Sequence, residues 1–282
     1  MSKIKFVALD IDGTLFNNNS EISKKDQQTI KAATDAGVHV VISTGRPYIG
    51  VPVDLLSSLG VKYAITSNGA GVYRSPEKEC IYSSCMEPAF ICPIIRELQK
   101  KDIHFDAFIG GNRYGQKSMQ PIIDRLDMPL SVREYVKTTS IVTDDLADFI
   151  EERQLEVQKI TLNFYPLPDG SFKDREETFS LLSSYPQITL LSGGYHNLEF
   201  TKAGTTKAMG LRFLTDLLDI PMEETMACGD SQNDLDILNA AGMSIAMGNA
   251  KEEVKKIADF VTLTNEECGV GYAIRKFVLD DN

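Results

Sequence analysis

Two aspartates near the N-terminus form the strongest chemical signal in this 282-residue sequence. Asp10 and Asp12 follow the apolar run 4–9 in the string Asp-Ile-Asp-Gly-Thr, and Gly13 lets the chain turn sharply after them. Residues two apart on an extended chain point to the same side, so the two carboxylates can converge on one site. Their repulsion requires a compensating charge, which a hard divalent cation with oxygen ligands supplies. The alternative is an acidic turn that ends a strand.

Three further clusters contain residue types that bind metal or phosphate. The string 229–234, Gly-Asp-Ser-Gln-Asn-Asp, offers the carboxylates of Asp230 and Asp234 to complete a metal site. Thr44 and Gly45 offer a hydroxyl and a backbone amide near a helix start, which suit a phosphate oxygen. Lys207, at the start of a later predicted helix, can hold a phosphoryl group. Each cluster alone also fits a turn, a helix cap or a solvated lysine, but their joint placement favours chemistry.

Strand and helix signals alternate at both ends of the chain, which is typical of a parallel sheet with crossover helices. Strands are predicted at 4–9, 38–42, 63–66, 225–228, 244–247 and 260–262. Helices are predicted at 23–36 and 205–218, and a further helix is predicted to follow the second strand and to end near residue 60. Ligands of such sheets bind beyond the carboxyl ends of the strands. The polar clusters follow these strands, so the predicted elements can bring them together.

The middle of the chain has a different texture, with turn clusters, hairpin-length strands and helices predicted around 88–101 and 173–185. We therefore expect an α/β fold with a Rossmann-like parallel-sheet core that is split in sequence. The core is predicted to comprise residues 1–83 and 200–282, and residues 84–199 are predicted to form an inserted α+β cap domain.

Composition excludes several classes of partner. The net charge of −11 argues against nucleic acid and anionic membranes, since both select basic patches. No apolar run approaches the roughly 18 residues that span a bilayer, and no signal peptide is apparent. The five cysteines follow no paired pattern and indicate free thiols in the cytoplasm, with a disulfide as the alternative. We expect a cytoplasmic monomer or weak homo-oligomer.

The motifs together resemble a known family. The strings at 10–14 (DIDGT), 43–46 (STGR) and 229–234 (GDSQND), with Lys207, resemble the four motifs of the haloacid dehalogenase superfamily. The strings at 67–70 (SNGA) and 265–274 (NEECGVGYAI) are similar to those of its Cof-type subclass IIB sugar-phosphate phosphatases. The resemblance implies an Mg²⁺-dependent phosphatase of small phosphorylated metabolites, chiefly sugar phosphates. The alternatives are a phosphotransferase or phosphomutase of the same superfamily and a phosphosugar-binding regulator without catalysis.

The resemblance also implies roles for the carboxylates. Asp10 would be the nucleophile that takes the phosphoryl group as an aspartyl phosphate, and Asp12 would be the general acid and base. Mg²⁺ would be bound by Asp10, by the backbone carbonyl of Asp12 and by Asp230. Asp234 would support this site or bind the ion through water.

The remaining implied residues surround the phosphate. Those expected to bind it are Thr44, the amides of Ile11 and Gly45, Lys207 and Asn233. Asn68 and Arg46 would lie at the margin of the site, either supporting loop geometry or touching the substrate. The sequence leaves open which residues of the cap contact the organic part of the substrate.

Overall fold

The computed structural model describes residues 4–279. Its strands are β1 Phe6–Leu9, β2 His39–Ser43, β3 Tyr63–Thr66, β4 Gly71–Arg74, β5 Glu79–Ser83, β6 His104–Ile109, β7 Asn112–Gln116, β8 Ser140–Thr143, β9 Lys159–Asn163, β10 Ile188–Ser192, β11 Leu198–Lys202, β12 Thr225–Gly229, β13 Met243–Ala246 and β14 Phe260–Val261. Its α-helices are α1 Lys24–Asp35, α2 Val53–Ser58, α3 Pro88–Leu98, α4 Leu130–Thr139, α5 Leu146–Glu152, α6 Arg175–Ser183, α7 Lys207–Leu218, α8 Leu235–Ala240, α9 Glu252–Ile257 and α10 Gly269–Phe277.

The described residues divide into two compact units, one of residues 4–82 and 206–279 and the other of residues 83–205. The first unit is discontinuous in sequence. The predicted boundary at 199/200 falls inside β11, which pairs with β10 and β9 and so belongs to the second unit.

The first unit is organised by an eight-stranded sheet in the order β14-β13-β12-β1-β2-β3-β4-β5. The strands from β14 to β3 pair in parallel, and β4 runs antiparallel to β3. Strand β1, Phe-Val-Ala-Leu, is buried along its whole length, as the apolar run predicts for a central parallel strand. The predicted α/β fold class is confirmed. Strands β4 and β5 were not predicted.

Helix α1 shows how local signals set the element ends. The Ser23 side chain caps it by accepting a hydrogen bond from the Asp26 amide at 3.0 Å, and Gly37 follows its last turn with φ +83°. Ile30 and Ala33 on its inner face are buried in the core of the first unit.

The second unit contains a six-stranded sheet in the order β10-β11-β9-β6-β7-β8. Its pairs are antiparallel except for β7 and β8, which run in parallel. Alternate side chains along β6, among them Phe105 and Ala107, belong to the apolar core of this unit. The same core contains buried residues of α3 and α5.

Two expectations concern the whole chain. None of the five cysteines is in a disulfide, as predicted. Within residues 4–279, no helix combines the length and apolar character needed to cross a membrane.

Candidate active site

Neighbouring parallel strands bring the predicted motifs to one edge of the first sheet. Strand β1 lies between β12 and β2, with Leu9 opposite Cys228 on one side and Ile42 on the other. The backbone amide of Asp10 donates to the carbonyl of Cys228 at 3.1 Å, so the chain after β1 begins beside the loop that follows β12. The carboxyl ends of β1, β2, β3 and β12 therefore place their loops at a common edge.

A buried ammonium group joins two of these loops. Lys207 Nζ lies 2.6 Å from Asp10 Oδ1 and 2.6 Å from Asp234 Oδ1, and all three side chains are buried. Burial lowers the pKa of Lys207, but the two carboxylates outweigh it and hold this pKa above its usual range. Burial also raises the pKa of Asp10 well above its usual value, although Lys207 opposes that rise. Lys207 is the first residue of α7.

Asp230 approaches the motif after β1 closely. Thr14 Oγ1 donates to Asp230 Oδ1 at 3.1 Å. Gly13 has φ +79°, and a Cβ there would lie 2.6 Å from Asp230 Oδ2, so only glycine fits this turn. Burial, with a contribution from the charge of Asp234, raises the pKa of Asp230 to about 6. The electrostatic cost of an ionised carboxylate in this position is therefore substantial.

Three carboxylates form a potential metal centre. Asp10, Asp230 and Asp234 each offer an oxygen, and these oxygens lie within 4.8 Å of one another. Asp234 already uses Oδ1 on Lys207, while its Oδ2 accepts from the amides of Asp230 and Ser231, both at 3.1 Å. The set thus contains three hard oxygen donors against one ammonium, and a divalent cation would neutralise the excess negative charge. The donors fit Mg²⁺, with Asp234 better placed to orient the loop than to bind directly.

Hydrogen bonds tie the other predicted residues into the same group of loops. The fully buried Thr44 accepts from the amide of Asn68 through its carbonyl, at 3.1 Å. Asn68 Oδ1 in turn accepts from Asn233 Nδ2 at 3.1 Å. The loops after β2, β3 and β12 are therefore linked. The predicted phosphate-binding amides of Ile11 and Gly45 belong to the loops after β1 and β2.

Asp12 is not among the three carboxylates that could share a metal ion, and its side chain pairs with Arg46. It lies in the irregular turn Ile11–Leu15, where its own φ of −79° and ψ of 117° are extended and the next residue, Gly13, has φ +79°. The Asp12 side chain is 58% exposed and forms an ion pair with Arg46 at 2.6 Å. The charge of Asp12 nevertheless adds to the rise in the pKa of Asp10 and of Asp230, so the three carboxylates interact. Arg46, placed by sequence at the margin of the site, contacts Asp12 directly.

The turn after β3 packs closely on the start of α7. Ser67, Asn68 and Gly69 all have positive φ, at 54°, 57° and 94°. A Cβ on Gly69 would lie 2.0 Å from the carbonyl oxygen of Thr206 and 3.0 Å from the amide nitrogen of Lys207. The absence of a side chain at residue 69 thus allows α7 to begin where Lys207 reaches Asp10.

Sequence reasoning missed three supporting residues. Thr14 binds Asp230, Ser231 Oγ donates to Asn233 Oδ1 at 2.8 Å, and Asn249 Nδ2 donates to the carbonyl of Gly13 at 2.7 Å. Thr14 and Ser231 lie inside recognised motifs, so their hydroxyls were an available signal. Asn249 follows β13 in a loop without a motif, and nothing in the sequence singles it out.

Comparison with known proteins identifies the family of this chain. A family model for haloacid dehalogenase-like hydrolases matches residues 7–274. The chain belongs to this family. The superfamily predicted from the motifs is therefore confirmed, and members of this family among the curated relatives are phosphatases.

Two relatives from Bacillus subtilis strain 168 align over nearly the full length. Phosphatase YwpJ is 32% identical, with coverage of 96% of this chain and 99% of the relative. The 5-amino-6-(5-phospho-D-ribitylamino)uracil phosphatase YcsE is 30% identical, with coverage of 98% and 96%. The enzyme class predicted for this chain, a haloacid dehalogenase-like phosphatase, is thus confirmed.

Solved structures show the same fold. A haloacid dehalogenase-like hydrolase from B. subtilis has a TM-score of 0.82 at 29% identity, covering 96% of this chain and 99% of that one. The subclass IIB sugar phosphatase BT4131 has a TM-score of 0.75 at 26% identity, covering 97% of this chain and 98% of that one.

The close approach at Gly69 yields a first prediction. Gly69→Ala should lower phosphatase kcat at least tenfold and destabilise the fold by about 1–3 kcal/mol, because the new methyl group displaces the start of α7. Gly37→Ala is the matched control, since Gly37 also has positive φ but open space around it. Urea unfolding and initial rates measure both effects. Equal loss of kcat in the two variants would show that backbone conformation alone is responsible.

The environment of Asp230 yields a second prediction. In metal-free protein at pH 7.5, Asp230→Asn should stabilise the fold by about 1–2 kcal/mol, because it removes a carboxylate whose ionised form is disfavoured by burial. The penalty is complete above the folded pKa of about 6 and shrinks as the pH falls from there toward the ordinary value of 3.8, so the gain should be nearly constant between pH 7.5 and 6.5 and should disappear near pH 4. Denaturant unfolding with a chelator measures it, with the exposed Asp236→Asn as control. A loss of stability at pH 7.5 would contradict the prediction.

Proposed function

We propose that this phosphatase hydrolyses small phosphorylated metabolites, above all sugar phosphates, with Mg²⁺ and through an aspartyl phosphate on Asp10. The carrying observation is the buried bridge in which Lys207 Nζ contacts Asp10 and Asp234 beside a three-carboxylate group. A fixed cation at the nucleophile is what an anionic substrate requires, because a phosphate dianion and a carboxylate repel one another.

Charge compensation is the first task of the site. Asp10, the carbonyl of Asp12 and Asp230 would hold Mg²⁺, and the ion would supply positive charge to offset the negative charge of the nucleophile and the phosphate. The buried Lys207 adds a positive charge next to Asp10, and Asp234 holds the ammonium group of Lys207 in place. The remaining proposed phosphate ligands are the Thr44 hydroxyl, the amides of Ile11 and Gly45, and the side-chain amide of Asn233.

The first chemical step transfers the phosphoryl group to the protein. A carboxylate oxygen of Asp10 forms a bond to phosphorus while the bond from phosphorus to the ester oxygen breaks. Asp12, protonated for this step, gives its proton to the departing oxygen, so that an alcohol leaves. General acid catalysis of this kind contributes about 10²–10⁴-fold.

The second step returns Asp10 to its starting state. A water oxygen attacks phosphorus, and the Asp12 carboxylate formed in the first step accepts the proton of that water. The bond between Asp10 and phosphorus breaks, which releases inorganic phosphate and restores both aspartates. Water as acceptor distinguishes this reaction from that of a phosphotransferase or phosphomutase, for which the acceptor would be a sugar hydroxyl.

The substrate class is supported by the activities of two similar proteins. One solved structure is of a sugar phosphatase, and one relative acts on a 5-phospho-D-ribitylamino compound. Both activities concern phosphate carried on a carbohydrate-derived group. We therefore propose that the substrate of this chain is also a phosphate monoester of a polyhydroxyl compound.

Replacement of the nucleophile is the direct test. Asp10→Asn should lower kcat for p-nitrophenyl phosphate by at least about 10³-fold, because the side-chain amide cannot form the acyl phosphate. The exposed Asp236→Asn provides a control of the same chemistry and should retain activity. Phosphate release with sugar phosphates, without phosphosugar isomerisation, separates hydrolysis from transfer. Undiminished turnover by Asp10→Asn would refute the proposed nucleophile.

Metal removal forms a separate prediction. Dialysis against EDTA should reduce activity to background, and Mg²⁺ should restore it, because the carboxylate group then regains its compensating charge. Isothermal titration with Mg²⁺ measures binding independently of turnover, and Asp230→Asn should weaken it at least tenfold. Full activity in EDTA with no measurable binding would exclude a metal-dependent mechanism.

A further inference from the structure

The side chain of Asp12 is held by a two-point contact with Arg46. Arg46 Nε donates to Asp12 Oδ2 at 2.8 Å, and Nη2 donates to Oδ1 at 2.6 Å. A guanidinium that meets both oxygens of a carboxylate fixes its plane as well as its position. Among the ion pairs of residues 4–279, this is the one that involves Asp12.

Arg46 is itself anchored on the side away from Asp12. Its Nη1 donates to the carbonyl of Gly50 at 3.3 Å, and its guanidinium carbon lies 5.1 Å from the centre of the Phe16 ring. Its backbone amide donates to Thr44 Oγ1 at 3.1 Å, and its carbonyl accepts from the Ser67 amide at 2.9 Å. The loop after β2 therefore presents this side chain in a defined place.

Asp12 has little comparable support of its own. It stands in the irregular turn Ile11–Leu15, next to Gly13, and more than half of its side chain is exposed. A short exposed carboxylate in such a turn has several accessible rotamers. Its orientation toward a leaving group therefore depends on the contact with Arg46.

We propose that Arg46 is the positioning residue for Asp12, and that it sets the direction from which the proton reaches the departing ester oxygen. The inference rests on the proposed function, in which Asp12 carries that proton. The fork binds both oxygens of Asp12, so the plane of the carboxylate follows the position of Arg46. Arg46 thus acts through Asp12 and does not contact the reacting atoms.

The test compares two substrates of nearly the same shape. Phenyl phosphate releases a more basic oxygen than p-nitrophenyl phosphate does, so it depends more on a correctly placed proton. Arg46→Met should lower kcat/KM for phenyl phosphate about 10–100-fold and for p-nitrophenyl phosphate less than about threefold. Arg46→Lys, which retains the charge but not the two-point fork, should fall between Met and wild type.

Controls separate positioning from folding. Arg74→Met removes an ion pair with Glu79 on another edge of the first unit and should change neither value. Urea unfolding checks that the Arg46 variants remain folded. If Arg46→Met does not fold, the comparison of the two substrates is made with Arg46→Lys. In an Asp12→Asn background, Arg46→Met should have no further effect, since the residue through which it acts is gone.

Three results would overturn the inference. They are equal losses of kcat/KM for both substrates, additive losses in the Asp12→Asn background, and a rise in KM with unchanged kcat, which would place Arg46 on the substrate. Failure of the proposed function looks different, because Asp12→Asn alone would then leave phenyl phosphate turnover intact.

Discussion

The contact between one buried ammonium and two carboxylates is the constraint on which the site depends. Lys207 is fully buried, and such a group is tolerated only where opposite charges compensate its lost hydration. Asp10 and Asp234 supply that compensation from two different loops, so the position of Lys207 fixes the spacing of both. The same arrangement brings the nucleophile next to a positive charge before any substrate arrives.

The parallel sheet makes this contact possible. Strand β1 is flanked by β12 and β2, so the loops with Asp10, Asp234 and Thr44 emerge side by side. Side-chain contacts then lock the loops together, through Thr14 to Asp230 and through Asn68 to Asn233. The core of the first unit thus provides rigidity, while its strand ends provide chemistry.

Sequence reasoning was most successful where local pattern determines structure. The Tyr63–Thr66 strand, the Ser23 cap and Lys207 at the start of α7 all follow from neighbouring residues. Contacts between distant loops could not be predicted, because they depend on the relative placement of side chains that no local pattern fixes. Arg46 and Asp12 are separated by 34 residues, and Thr14 and Asp230 by 216. The sharp turn at Gly13, with φ +79°, follows from the motif, because a positive φ favours glycine.

Capture of the covalent intermediate tests the central claim most directly. Wild-type protein is mixed with Mg²⁺ and excess p-nitrophenyl phosphate, quenched in acid within the first turnovers, digested and examined by mass spectrometry. The account predicts one phosphoryl group on the peptide that contains Asp10, and loss of that group on treatment with hydroxylamine, which cleaves acyl phosphates. A phosphoryl group on another residue during active turnover would contradict the account.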